Sequence, residues 1–480
     1  MVSPVRVSAS VSIMTVVQSA EKNLPARVRP LVRAFAAVLS ADGPTARAQR
    51  MALIAFAIRV ASAGIAFLSQ IVQARLMGEF EYGIFVFVWV LVVLFGNLSC
   101  LGFHTAIIRF LPRYDGDAER AEIRGLTATA RIFALTSATT LALVGFLFLK
   151  LLGNSIEPYS VLPLFLALFA LPMIALGDVL DGTARASNWP ISAFVNTYIV
   201  RPTLILAFML LAVSFGAPKT AVTAMQAALA AAYVTTILQF GIITWRLRKR
   251  YDRGPLKIDF MGWFRVALPI FLIEGFGFLL TNSDVVVVGF YLEPDSVAIY
   301  FAAAKTMALV QFVYFAVKAA AAPRFSALMR ENNHGELKAF AATASRWSFW
   351  PSLAVGLLVL AAGQPLLSLF GPAFGAGHVL MAILFVGSMT KALVGPGETL
   401  LTMAGKQMLC VWLYCTALTV NILLNITLIP LLGLTGAALA TASATMVEAL
   451  LLHVAVRRSL GITLFALSGS TLFMTPKKTA

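Results

Sequence analysis

The sequence contains few cysteines, few histidines and little charge, and each shortage excludes a class of protein. The three cysteines, Cys100, Cys410 and Cys415, lie in or beside apolar runs and have neither disulfide-framework nor metal-ligand spacing. The 4 histidines are scattered along the chain, so we expect no metal centre and no cofactor. Charged residues make up 12% of the chain against 60% hydrophobic residues, which excludes a soluble protein and indicates an integral membrane protein.

The formal net charge of +16 is distributed unevenly along the chain. Lys and Arg concentrate in the N-terminal tail, in the connector of residues 245–260 and in loops on the same side, whereas the opposite loops hold only Arg75, Lys150 and Lys219. This bias is a topology signal, and it argues against a nucleic-acid partner. It predicts cytoplasmic termini and an even number of spans.

Apolar runs of suitable length predict an all-α polytopic membrane protein with about twelve transmembrane helices. The first six predicted spans are residues 51–74, 82–103, 127–149, 159–178, 192–215 and 220–244. The last six are residues 261–282, 297–321, 345–368, 378–403, 407–430 and 435–456.

The second half of the chain repeats the opening of the first. Residues 265–267 and 59–61 both read Arg-Val-Ala, and the Pro-Arg-aromatic triplet of residues 112–114 returns at residues 323–325. Parallel repeats of this kind are typical of transporters with a site between the repeats. The repeat therefore predicts two homologous halves with a site between them. The predicted domains are a cytoplasmic tail at 1–50, lobes at 51–244 and 261–456 with a cytoplasmic linker at 245–260 between them, and a cytoplasmic tail at 457–480.

Several ionisable residues fall inside the predicted spans, where each costs about 2.5 to 3.5 kcal/mol on insertion scales. Arg131, Arg265 and Lys318 lie within about two turns of a cytoplasmic helix end, so snorkelling explains them. Five others lie near the predicted midplane: Arg59, Arg201, Glu274, Lys305 and Lys391.

The deep cations outnumber the single deep acid, which favours an anionic ligand. The candidate substrate-binding residues are Arg59, Arg201, Lys305, Lys391, Gln70 and Gln73. Glu274 and Asp284 are candidate ion-coupling residues, because a buried carboxylate can bind and release a cation. The alternative is a set of buried ion pairs, for example Glu274 with Arg59 or Glu398 with Lys391.

Four segments resemble the oligosaccharide-lipid flippases, which are the polysaccharide-transport branch of the multidrug/oligosaccharidyl-lipid/polysaccharide exporter (MOP) superfamily. These segments are residues 73–85, residues 106–112, residues 282–284 with Gly289, and residues 297–300 with Pro323. The resemblance implies two six-helix lobes around a central cavity, with alternating access in a bacterial cytoplasmic (inner) membrane. It also implies a polyprenyl-pyrophosphate-linked oligosaccharide as cargo, bound by cavity cations, for lipopolysaccharide O-antigen or exopolysaccharide synthesis. Membrane lipids, a polysaccharide polymerase and chain-length proteins are the expected partners.

Two other functions stay open at this stage. A cation-coupled multidrug or toxin antiporter of the same superfamily should carry an acid in its first lobe, whereas the first span has Arg59 and no Asp or Glu. An integral-membrane polymerase or acyltransferase would need a sizeable outer loop or a His/Asp cluster, and the outer loops here are short. We therefore expect a transporter and not an enzyme.

Overall fold

The computed structural model describes residues 44–114, 119–152, 156–251, 254–331 and 333–467, with side chains from residue 58 onward apart from that of Arg59. Most of the predicted N-terminal tail and the last residues of the C-terminal tail lie outside these ranges. We call residues 44–251 the N-terminal half and residues 254–467 the C-terminal half.

The described part of the chain contains helices and no strand, which confirms the predicted all-α fold. Ten of its helices are long and apolar enough to cross a membrane, so the chain is a multi-pass membrane protein. The first of them, Val60–Ser99, has 40 residues and contains the non-helical Gly78, so it consists of two helical pieces joined at a kink. His334–Ala361 is not among the ten. The count of twelve spans therefore stays a prediction.

Seven α-helices form the described N-terminal half: α1 Pro44–Ser99, α2 Phe103–Phe110, α3 Arg120–Leu152, α4 Pro158–Ala186, α5 Pro190–Val195, α6 Arg201–Ser214 and α7 Ala221–Arg250. Eight form the described C-terminal half: α8 Phe260–Tyr291, α9 Pro294–Arg330, α10 His334–Ala361, α11 Gly363–Ser368, α12 His378–Val394, α13 Gly397–Met403, α14 Gln407–Leu432 and α15 Leu434–Leu460.

Glycine and proline interrupt the helices of the N-terminal half at two points. Helix α1 bends at Gly78, whose φ of 79° and ψ of 172° are accessible to glycine but strained for other residues. Between α5 and α6 the backbone widens into a π-helical turn, Asn196–Val200. Pro202 explains this turn, because it cannot donate a hydrogen bond to the carbonyl of Tyr198 and its ring would clash there.

The prolines of the C-terminal half behave differently from one another. Helix α12 ends before Pro396 at Gly395, which has a φ of 75°, and the carbonyl group of Val394 accepts a hydrogen bond from Ser345 Oγ at 2.9 Å. This freed carbonyl is therefore satisfied by a neighbouring helix and not left for a ligand. Pro269 lies inside helix α8, which continues from Phe260 to Tyr291.

The two halves are in close contact along α1 and α9. Tyr82 is fully buried, and its ring centroid lies 6.5 Å from that of Phe301 and 6.3 Å from that of Phe374. The backbones of the two helices lie closest together at Gly83 of α1 and Pro294 of α9, where a Cβ on Gly83 would overlap the carbonyl oxygen of Pro294. Glycine at this position lets the helices meet.

Candidate functional site

A cavity of about 380 Å³ lies in the C-terminal half. Its lining residues all fall between Ile273 and Glu448, on helices α8, α9, α10, α12, α13, α14 and α15. It borders the N-terminal half through Phe301, which contacts Tyr82, and through Glu274. The cavity is thus built by one half of the chain and reaches the boundary with the other.

Two ion pairs line this cavity. Lys391 Nζ on α12 lies 2.6 Å from Glu448 Oε1 on α15, and Lys318 Nζ on α9 lies 2.7 Å from Glu398 Oε2 on α13. The Glu448 side chain is 2% exposed and the Lys391 side chain 30% exposed, so Lys391 is the more accessible member of the pair and Glu448 lies deeper in the cavity wall. The pair of Glu398 with Lys391, given from the sequence as an example of the alternative, is not formed, because each residue has another partner. Lys318, which the sequence explains by snorkelling, lines the cavity and pairs with Glu398.

Lys305 and Asp284 lie on neighbouring helices of the same cavity. The Lys305 ammonium lies 5.0 Å from the centroid of the Phe301 ring, and no described residue forms a hydrogen bond or ion pair with it. Asp284 is 5% exposed, and its carboxylate accepts hydrogen bonds from Tyr300 Oη at 2.7 Å and from the backbone N–H of Val285 at 2.8 Å. Lys305 can therefore bind an anion with its free N–H groups.

Glu274 joins the two halves. Its Oε2 accepts a hydrogen bond from Thr105 Oγ1 at 2.7 Å and lies 3.3 Å from His104 Nε2. The Glu274 side chain is 43% exposed and also lines the cavity. The alternative partner expected from the sequence, Arg59, has a side chain outside the described residues. The ion-coupling roles of Glu274 and Asp284 stay predictions.

Arg201 lies in a different place, buried in the N-terminal half. It is 6% exposed, and its Nε and Nη2 have no hydrogen-bond partner among the described residues. Asp181, with which Arg201 interacts electrostatically, instead accepts hydrogen bonds from Thr197 Oγ1 and Gln239 Nε2, both at 2.6 Å. Arg201 does not line the cavity that holds Lys305 and Lys391. The structure therefore brings those two lysines together without Arg201.

The remaining predicted residues lie on α1. Gln73 is 4% exposed, and its Nε2 donates to Ser69 Oγ at 3.2 Å; that hydroxyl in turn lies 3.4 Å from the carbonyl oxygen of Pro202. Gln73 is thus connected to the segment that follows Arg201. Gln70 is half-buried. The side chain of Arg59 lies outside the described residues.

Sequence reasoning missed three acids: the buried Asp181 and Glu448, and the half-buried Asp178. Glu448 lies deep within the predicted span 435–456, so the depth criterion that selected Lys391 would have found it. The two aspartates were missed because the fourth predicted span ended at residue 178, whereas α4 continues to Ala186. Asp178 accepts a hydrogen bond from Asn97 Nδ2 at 3.1 Å.

The chain belongs to the polysaccharide biosynthesis protein family, whose sequence profile matches residues 50–329. Among curated proteins, none matches the sequence. The fold is similar to the inward-facing conformation of a multidrug resistance MATE family transporter of the MOP superfamily, with a TM-score of 0.64 and 16% identity over 85% of this chain and 94% of that one. It is also similar to a MOP superfamily transporter from Pyrococcus furiosus, described as having a binding pocket of reverse polarity that suggests a different function. That match has a TM-score of 0.62 and 17% identity over 88% of this chain and 97% of that one.

These observations define the class of the protein. The family match and the similar folds agree with the sequence resemblance: the chain belongs to the polysaccharide biosynthesis protein family, and its helical fold is similar to that of transporters of the MOP superfamily. The chain is a multi-pass membrane protein.

Proposed function

We propose that the protein is a flippase that moves polyprenyl-pyrophosphate-linked oligosaccharides from the inner to the outer leaflet of the bacterial cytoplasmic membrane. The observation that carries the proposal is membership of the polysaccharide biosynthesis family, matched over residues 50–329. A lipid pyrophosphate carries at least two negative charges through a layer that resists them, so its carrier needs cations inside the membrane.

Deep cations with unused N–H groups support an anionic lipid as cargo. Lys305 offers an ammonium to which no described residue hydrogen-bonds, and Arg201 offers Nε and Nη2. A guanidinium suits phosphate because its planar fork gives two parallel hydrogen bonds. The proposed cargo contacts are Arg59, Arg201, Lys305, Lys391, Gln70 and Gln73.

Arg201 variants test this proposal in cells that depend on the protein for surface polysaccharide. Arg201→Ala should abolish surface polysaccharide and make lipid-linked repeat units accumulate on the cytoplasmic side, with protein abundance unchanged. Arg201→Lys should restore transport only in part, because the charge is kept but the fork is lost. Normal surface polysaccharide in both Arg201→Ala and Arg59→Ala would make these cations structural.

A cation-coupled multidrug or toxin antiporter is the second candidate. The half-buried Asp178 and the buried Asp181 favour it, because they supply the acids that the first span lacks. The phenotype of a strain that lacks the protein distinguishes the two functions. A multidrug antiporter predicts increased sensitivity to organic cations such as ethidium with intact surface polysaccharide. A flippase predicts the reverse pattern.

A further inference from the structure

Positive and negative charges nearly balance in the cavity of the C-terminal half. Three lysines line it (Lys305, Lys318 and Lys391), and so do four acids (Glu274, Asp284, Glu398 and Glu448). Two like unit charges about 6 Å apart repel by about 3 kcal/mol at an effective dielectric constant of 20. A pyrophosphate at the centre of this cavity would be repelled by the carboxylates about as strongly as the lysines attract it, so the centre of the cavity favours a ligand without net charge.

The uncharged part of the lining is suited to a polyhydroxyl compound. Aromatic rings from Tyr314, Phe315 and Tyr414 stand beside the amide of Gln311 and the hydroxyl of Thr445. Sugar rings present apolar C–H faces to aromatic side chains, and their hydroxyl groups both donate and accept hydrogen bonds. A volume of about 380 Å³ lies at the lower end of the range of small-molecule sites, about 300 to 1,000 Å³, which suits a short saccharide.

The ion pairs leave hydrogen-bonding capacity on the cavity side. The Lys391 ammonium has three N–H groups, and its one described hydrogen bond goes to Glu448. Glu448, almost fully buried behind Lys391, fixes that ammonium at the cavity wall. Lys318 and Glu398 are 32% and 21% exposed, so this second pair offers both donors and acceptor oxygens to hydroxyl groups.

We infer that this cavity binds the sugar headgroup of the cargo, an inference that rests on the proposed flippase function. Lys391, Lys318 and Glu398 contact sugar hydroxyls, and Glu448 is a positioning residue that holds Lys391. The pyrophosphate stays with Lys305, whose ammonium lies over Phe301 at the boundary with the N-terminal half. Lys391 therefore binds the carbohydrate and not the pyrophosphate.

Two probes separate the sugar contribution from the lipid contribution. They are the lipid-linked oligosaccharide isolated from the host cell and the same polyprenyl pyrophosphate without sugars, each titrated against the full chain in lipid nanodiscs. The wild-type protein should bind the sugar-bearing probe about ten times more tightly, a preference of about 1.4 kcal/mol.

The double variant Lys391→Met/Glu448→Gln removes one ion pair without leaving an unpaired charge. It should abolish the preference for the sugar-bearing probe and change the Kd for the sugar-free probe by less than about twofold. Lys305→Met should weaken both probes by the same factor. The matched control, Glu122→Gln/Lys257→Met, removes an ion pair of 2.8 Å that does not line the cavity, and it should change neither Kd.

The outcomes distinguish a wrong site from a wrong function. If the double variant weakens the binding of both probes equally, Lys391 contacts the pyrophosphate and the inference is wrong. It is also wrong if the variant keeps the preference for sugars. If the wild-type protein binds neither probe, the proposed flippase function fails, and the sugar site fails with it.

Discussion

In the N-terminal half the deep cation Arg201 keeps two N–H groups without a hydrogen-bond partner among the described residues, whereas in the C-terminal half Lys391 and Lys318 are each paired with a glutamate. The carboxylate of Asp181, which could pair with Arg201, accepts hydrogen bonds from Thr197 and Gln239 instead. One half therefore buries a cation that is free to bind a ligand. The other half surrounds a cavity in which two of the three lysines are neutralised by glutamates, and Lys305 is the third.

This difference separates two tasks that the sequence had assigned to a single set of cations. An unpaired buried charge is costly to fold, so it is best explained by a ligand that satisfies it during the transport cycle. Paired charges stabilise the protein without a ligand, and their remaining hydrogen-bond donors and acceptors can distinguish one ligand from another. The comparison thus assigns anion binding to Arg201 and Lys305, and carbohydrate recognition to the pairs.

Labelling of single cysteines gives the largest expected effect, because it is all or none. The comparison of the halves assumes that both enter the membrane from the cytoplasm. Cysteines placed in residues 246–257 or 324–338, in a background without the native cysteines, should react with an impermeant reagent only after the cells are opened. Cysteines at residues 79–81 or 293–295 should react in intact cells. Labelling of residue 248 from outside would overturn the parallel arrangement.

Breaking the buried pair of the C-terminal half should cost the most stability. Lys391→Met leaves Glu448 buried without its partner, so we expect a loss of about 3 kcal/mol, seen as a lower melting temperature in detergent. The control is Lys391→Met/Glu448→Gln, which removes both charges and should recover most of the loss. Equal losses in the single and double variants would show that packing, and not the charge, is responsible.

The contact between the halves should be sensitive to one methyl group. Gly83→Ala forces the backbone away from Pro294, and overpacking of this kind costs about 1 to 3 kcal/mol. Gly64→Ala is the matched control on the same helix, because its added Cβ meets no atom within 4 Å. The melting temperatures of the two variants should therefore differ, with Gly83→Ala the lower. Identical values would mean that α1 and α9 separate readily at this point.

The fold class could be predicted from the sequence, because long apolar runs have few alternatives to transmembrane helices. The deep positions of Lys305, Lys391 and Arg201 could be predicted for the same reason, since depth follows from position along a helix. The partners of these residues could not be predicted from the sequence. The pairing of Lys391 with Glu448 depends on how α12 packs against α15, and this packing is set by side-chain shape along both helices. No spacing in the sequence encodes it.

Arg201→Met should have the smallest effect on stability, and it is the most direct test of the comparison between the two halves. The Arg201 guanidinium is buried, and two of its N–H groups lack partners, so its removal relieves a desolvation cost and leaves the two hydrogen bonds of Asp181 in place. We expect the free energy of unfolding to change by less than about 1 kcal/mol, while export in cells is lost. Melting temperature in detergent and surface polysaccharide, measured on the same variant, provide the two readouts.

A stability loss as large as that of Lys391→Met, with export reduced only in proportion to protein abundance, would show that Arg201 is a structural partner of Asp181. The two halves would then bury charge in the same way, and the N-terminal half would lose its proposed anion site.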